Sequence, residues 1–155
     1  MIVSLVLAAS MALAPVAVGT NQPSLETTSK YTLIDSPVSL YQGRMYVKKD
    51  NDLRYCIRYR ESRHAYSADT GSGKYKGAYQ MSREFKDGMS WMIQRDMRET
   101  GTPKAEAVRI GEKLRSTPVN KWAPYYQDYA FWMGWDKGKG RSHWDATNYS
   151  IKRGC

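Results

Sequence analysis

Cysteine and histidine are scarce in this 155-residue chain, which has two of each. Two cysteines are too few for a cysteine-rich zinc site, and His64 and His143 are not spaced as a ligand pair, so no metal and no cofactor is expected. Charge is missing from the first stretch: no Lys, Arg, Asp or Glu lies between Met1 and Thr20. The apolar residues there, Leu5, Val6, Leu7, Met11 and Leu13, form a run too short and too alanine-rich for a good membrane span. Small residues follow at Ala12, Ala14, Ala17 and Gly19, where a signal peptidase could cut. Residues 1–19 therefore read as a secretory signal peptide whose basic n-region is reduced to the α-amine of Met1; a short anchor or a buried helix are the alternatives. The chain also lacks an internal repeat, a low-complexity tract, a zinc-finger pattern, an RNP-like aromatic motif and a long basic amphipathic helix. These absences weigh against nucleic acid, and against stable membrane insertion after signal cleavage.

Export makes a disulfide between Cys56 and Cys155 the expected state of the two cysteines. Closing a loop of about 100 residues could add up to ~4.7 kcal/mol in the chain-entropy picture. The formal net charge of +9 stays with the mature chain, because the signal carries no charged side chain. Such a chain is drawn to polyanions: nucleic acid, anionic lipid, or the teichoic and peptide carboxylate groups of a bacterial wall. Charge alone does not choose among them.

Residues 20–49 are polar, with Pro23, Pro37 and many Ser and Thr, and read as a linker or loosely packed arm. Tyr31, Leu33, Ile34, Val38 and Leu40 could add a strand. The compact domain is expected over 50–155. Asp50 or Asn51 can cap a first helix, in which Leu53, Ile57 and Glu61 recur one turn apart on one face. Ser67 to Gln80, with Gly71, Gly73 and Gly77, reads as turns and short strands. Ser82 can cap a second helix that ends at Gly101, and Pro103 and Pro124 mark two further helix starts. Trp122, Tyr125, Tyr126, Tyr129 and Met133 recur at helical spacing and are expected in the core. Trp132, Trp135 and Trp144 could face either the core or a groove, and His64 is expected on an exposed loop. Helices around one small irregular β segment make the expected class α+β.

Glu61 stands where the apolar stripe of the first helix meets the glycine-rich segment. A carboxyl group on a partly buried face loses hydration, which disfavours its charged form and suits it to general acid work. The competing reading is a surface glutamate paired with Arg58, Arg60 or Arg63.

The string from Cys56 to Glu61-Ser62 resembles the Cys-to-Glu-Ser opening of resuscitation-promoting-factor-like and transglycosylase-like domains of the lysozyme-like superfamily, with a different Cys-to-Glu spacing. Tyr66-Ser67-Ala68-Asp69-Thr70-Gly71-Ser72-Gly73-Lys74-Tyr75 resembles their W-x-x-N-T-G-N-G-Y-Y segment. Lys76-Gly77-Ala78-Tyr79-Gln80-Met81 resembles their G-G-x-Q-F segment and the G-x-x-Q motif of soluble lytic transglycosylases and goose-type lysozymes. Gly140 to Trp144 is similar to the glycine–tryptophan ending before a last cysteine. The resemblance is dense over about 25 residues and faint elsewhere in the domain. It implies a glycan groove, Glu61 as catalytic acid, Gln80 as a ligand of sugar hydroxyl or acetamido groups, Thr70 near the scissile sugar, and Tyr75 and Tyr79 on the groove walls. Aromatic rings and amides suit the flat C–H faces and hydroxyls of sugars. The residues themselves leave Tyr75 and Tyr79 open to core packing and Thr70 to a turn hydrogen bond.

With Glu61 as acid, two routes are open. Hydrolysis needs a second carboxylate, for which Asp69 is the nearest in sequence. Lytic transglycosylation closes an anhydro ring with the substrate's own 6-hydroxyl and needs none; it is the preferred expectation. Together with the signal peptide, the resemblance implies a secreted, wall-associated bacterial or phage enzyme, expected to be monomeric, acting on peptidoglycan glycan strands between N-acetylmuramic acid and N-acetylglucosamine. A non-catalytic glycan-binding or signalling module is the alternative. A cationic protein binding nucleic acid or membranes is a more distant one.

Overall fold

The computed structural model describes residues 36–144; the expected signal peptide, residues 20–35 of the expected linker, Asp145 and Cys155 lie outside the described residues. Four α-helices carry the fold: α1 Asn51–Ser62, α2 Arg83–Glu99, α3 Lys104–Ser116 and α4 Pro124–Trp135. Three 3₁₀ segments join or follow them at Lys48–Asp50, Val119–Lys121 and Asp136–His143. The class is helical, which corrects the α+β expectation. No strand forms among the described residues; the glycine-rich stretch holds only isolated antiparallel bridges, Asp69 with Lys76 and Lys76 with Met81. The physical reason is composition. Gly71, Ser72 and Gly73 carry no β-branched or large side chain to make the cross-strand pairs that stabilise a ladder, and the chain closes on itself as consecutive turns.

Local chemistry sets the helix ends. Ser82 caps α2 by accepting from Phe85 N–H at 3.2 Å, and Gly101, at φ +98°, turns the chain out after that helix. Pro103 precedes α3, and Pro124 occupies the first turn of α4, where its missing N–H costs nothing. Asp50 precedes α1 without a side-chain cap; its carboxylate accepts instead from Trp135 Nε1 at 2.9 Å. α1 ends at Arg63, a left-handed residue whose N–H bonds back to Tyr59 O at 2.8 Å.

α4 is the central element. Every residue from Tyr126 to Trp135 is buried, as expected of a helix that is apolar on all sides. α2 packs on both α3 and α4. Phe131 stacks on Tyr79 at 4.7 Å between ring centroids. Gly140 lies so close to Gly134 O that a Cβ there would sit 1.7 Å from it, so the segment after α4 rests directly on that helix. The described end of the expected linker, 36–49, is part of this body and not a loose arm. Tyr41 is 2% exposed and stacks on Tyr129 at 3.9 Å. No strand forms at Val38 or Leu40.

Two buried acids sit inside this aromatic body. Asp128, wholly buried, accepts from Tyr79 OH (2.6 Å), Tyr66 OH (2.8 Å) and Leu40 N–H (2.8 Å). The buried Arg54 lies 3.5 Å from the same carboxylate and donates to Tyr79 OH at 2.7 Å. Burial, followed by the negative Asp128, pushes the Tyr79 hydroxyl well above its ordinary pKa. Asp96 plays the matching part on α2, accepting from Tyr129 OH and from Arg44.

Candidate functional site

The motif residues occupy the end of α1 and the turns that follow it. Ser62 Oγ donates to Ala78 O at 2.8 Å, which ties that helix end to the last turn before α2. The turn closes where Lys76 and Met81 exchange backbone hydrogen bonds of 3.1 and 2.9 Å. Gln127 of α4 clamps it from below: its Oε1 accepts from Ala78 N–H at 2.8 Å, and its Nε2 donates to Tyr66 O and Val119 O at 3.0 and 2.9 Å. Gly77, at φ +78°, has no room for a Cβ, which would meet Gln127 Oε1 at 2.5 Å.

Gln80 is the most distinctive residue of the turn. Its backbone is left-handed, with φ +47°, a conformation that costs a non-glycine residue about 1–2 kcal/mol. Its Nε2 donates to Gly77 O at 2.8 Å, while its Oε1 is buried with no hydrogen-bond partner. Exchanging the amide atoms would set two acceptors against each other, so the free group is the acceptor. A strained residue whose buried acceptor meets no protein donor leaves that acceptor to water or a ligand.

A cleft of about 130 Å³ opens here, and Tyr75, Tyr79, Gln80, Phe85, His143 and Trp144 are among the residues that line it. Trp144 is one of its walls, anchored by Nε1 donating to Tyr79 O at 3.1 Å. His143 and Phe85 pack edge-to-face at 4.8 Å. Tyr75 is 41% exposed, so its ring is open to a ligand.

Glu61 is not among the described residues that line this cleft. Its side chain is 25% exposed and paired with Arg60, whose Nη2 and Nε donate to Oε1 at 2.8 and 3.2 Å. The same Nη2 donates to Trp144 O. Glu61 thus stands one arginine away from the cleft wall, neither in the core nor fully in solvent. The Glu–Arg pair weighed from the sequence forms, with Arg60 as the partner.

The other sequence-named residues divide. Tyr79 borders the cleft, as expected, but its side chain is chiefly a core element, 1% exposed and bonded to Asp128. Its ring faces α4, stacked on Phe131. Thr70 makes a turn: its Oγ1 donates to Tyr75 O at 3.1 Å. Asp69 is exposed and paired with Lys76 at 2.5 Å. His64, expected on an exposed loop, is 7% exposed. Arg63 and His64 both take positive φ and fold the chain back, so that His64 stacks on Tyr55 at 4.2 Å and accepts from Arg58 at 3.1 Å. Trp122, Tyr126 and Tyr129 are buried as expected, and Trp132 and Trp135 join them. Cys56 is half-buried on α1 and is not a free thiol; its expected pairing with Cys155 falls outside the described residues.

Sequence reasoning missed the cleft roles of Phe85 and His143 and the whole Arg54–Asp128 network. A signal for the network was present: Arg54 and Arg58 sit one turn apart beside buried Ile57, and Asp128 interrupts an otherwise aromatic helix. Among the described residues no group of three His, Cys, Asp or Glu side chains could hold a metal ion, and no helix is long and apolar enough to cross a membrane. Comparison of the chain with protein-family models, with curated proteins and with solved structures gives no match.

Proposed function

We propose that this chain is a secreted, monomeric enzyme that cleaves peptidoglycan glycan strands between N-acetylmuramic acid and N-acetylglucosamine, with Glu61 as the general acid. The observation that carries the reading is Gln80. A left-handed backbone and a buried free acceptor, beside Tyr75 and Trp144, suit an amide N–H or hydroxyl donated by a sugar lying against aromatic rings. Oε1 has almost no accessible surface in this conformation, so a sugar donor reaches it once the side chain turns toward the cleft, exchanging the Gly77 contact for bonds to the ligand.

Glu61 would act from the edge of the same cleft. Arg60 already has a second acceptor in Trp144 O. Glu61 can therefore swing toward a glycosidic oxygen while Arg60 remains bonded. In that step the acid's proton goes to the leaving oxygen as the glycosidic bond breaks.

Transglycosylation is the reading favoured over two-carboxylate hydrolysis. No acid is among the described residues lining the cleft. Asp69 is tied to Lys76 on the surface, and Asp96 and Asp128 are buried and fully engaged. The substrate's 6-hydroxyl then supplies the nucleophile, and Glu61 takes up its proton, so atoms and charge balance without a second carboxylate. Mass spectrometry of fragments released from purified walls tests this: anhydro-ended sugars are expected, and water-terminated sugars alone would reject it.

One observation favours a second reading, a glycan-binding module without turnover: the Glu61 carboxylate is held by Arg60 and stands outside the cleft lining. Binding to walls with no released sugar of either kind would establish that module instead.

A further inference from the structure

A second pocket, of about 320 Å³, shares Met81 and Ser82 with the cleft but has different chemistry. Five cationic side chains line it, Lys74, Lys76, Arg83, Lys86 and Arg115, against the single carboxylate of Asp87. Glu84, whose carboxyl is held below its usual pKa chiefly by its own backbone N–H and then by Ser82, is the nearest further acid on α2.

The five cations are unequally engaged. Lys76 is held by Asp69 at 2.5 Å. Lys86 is held by Asp87 at 2.8 Å and donates to Arg115 O at 2.5 Å. Arg115 donates to Gln94 at 3.0 Å and lies 3.6 Å over the Trp91 ring. Arg83 reaches Asp87 only at 4.0 Å and is 86% exposed. Lys74 is exposed beside the Tyr75 ring, 5.3 Å from its centroid.

Placement sharpens the contrast. Arg83 and Lys86 stand in the first turn of α2, at the positive end of its dipole, where cations are disfavoured. With Lys74 facing them from the glycine-rich turn, positive charge accumulates around a cavity and only Asp87 answers it inside.

We propose that this pocket is the subsite for the carboxylates of the peptide that branches from the glycan strand. The inference rests on the reading of the cleft as a peptidoglycan site. Because Met81 and Ser82 border both spaces, a ligand here would lie beside the sugar that meets Gln80, where a peptide branch of that sugar would fall. Several carboxylates spaced along a chain also match cations dispersed on long side chains. A compact phosphate would be better served by a nest of backbone N–H groups. Here Phe85 N–H is already taken by Ser82 Oγ and Lys86 N–H by Ser82 O.

The test uses the full chain carrying Glu61→Gln, titrated with two soluble glycan fragments of equal length. One keeps its peptides and the other has had them removed by an amidase. Tryptophan fluorescence reads affinity, and product analysis of the same samples reads any cleavage. The peptide-bearing fragment is expected to bind about tenfold more tightly, and adding Lys74→Glu and Arg83→Glu should bring it down to the level of the bare glycan. Lys74→Ala with Arg83→Ala serves if circular dichroism shows that the double reversal has not folded. Equal affinity of the parent for the two fragments would overturn the subsite while leaving the glycan cleft standing. An equal loss on both fragments would reduce the pocket to diffuse charge. Stronger competition by poly(glycerol phosphate) than by the free peptide would assign the pocket to a phosphodiester polymer. Binding of neither fragment sinks the glycan reading itself, and continued cleavage by the Glu61→Gln chain sinks only the role of Glu61.

Discussion

Asp128→Asn removes one charge from the centre of the molecule and changes almost no volume. The carboxylate is wholly buried and takes hydrogen bonds from Tyr79, Tyr66, Leu40 and Ser39, with Arg54 alongside. Asparagine can keep the oxygen that serves the two tyrosines, but it then sets an N–H against Leu40 N–H. Arg54, itself wholly buried, loses its counter-charge. Leaving one member of a buried pair uncompensated costs about 3–5 kcal/mol. A domain of this size has about 5–15 kcal/mol in total, so the variant is expected to be partly unfolded on warming. With a urea slope near ~2 kcal/mol/M, the unfolding midpoint should fall by about 2 M. Asp69→Asn is the matched control. Its pair with Lys76 is at the surface, with side-chain exposures of 41% and 28%, and should cost no more than about 1 kcal/mol. Equal midpoints for the two variants would refute the view that the Arg54–Asp128–tyrosine network holds α1, α4 and the turn of the site together.

Two further outcomes follow from the same packing. Gly77→Ala would place a Cβ against Gln127 and Val119 in a left-handed backbone. It should cost about 2–4 kcal/mol in urea unfolding and weaken glycan binding, because Gln127 also positions the turn carrying Gln80. Alkali should unfold the protein: burial, followed by neighbouring negative groups, raises Tyr125 and Tyr126 from 10.0 to about 12 and holds Tyr79 well above its ordinary value. Above pH 10 the unfolded chain releases protons that the folded chain keeps. Stability is therefore full below that pH and falls as pH rises. The buried tyrosines' share of the tyrosinate absorbance should appear together with the loss of circular dichroism; complete tyrosine titration while circular dichroism is unchanged would contradict this.

Much of the helical framework was legible because it is written in local chemistry. Ser82, Gly101, Pro103 and Pro124 punctuate the helices by capping, turning or lacking an N–H, and each acts within a few residues of itself. What depended on distant partners was not legible. Asp128 reads as an ordinary helix acid until Tyr66, Tyr79 and Arg54 converge on it. Residues 36–49 look polar, yet Tyr41 finds Tyr129 and Ser39 finds Trp132 across the fold. The glycine-rich segment looked like strands because its turn residues suggest hairpins, but turns alone do not pair. At the site, Gln80 and Tyr75 reached the cleft, Tyr79 borders it while its side chain is buried in the core, and Thr70 did not reach it. A motif names a run of residues, and the backbone decides which of them face inward.

The most direct measurement is the rate at which purified peptidoglycan walls are cleared by the wild-type chain and by Glu61→Gln at equal concentration, with circular dichroism confirming that both are folded. Proton donation by Glu61 predicts a loss of about 10²–10⁴-fold in the variant. A folded Glu61→Gln chain that clears walls at the wild-type rate would contradict it.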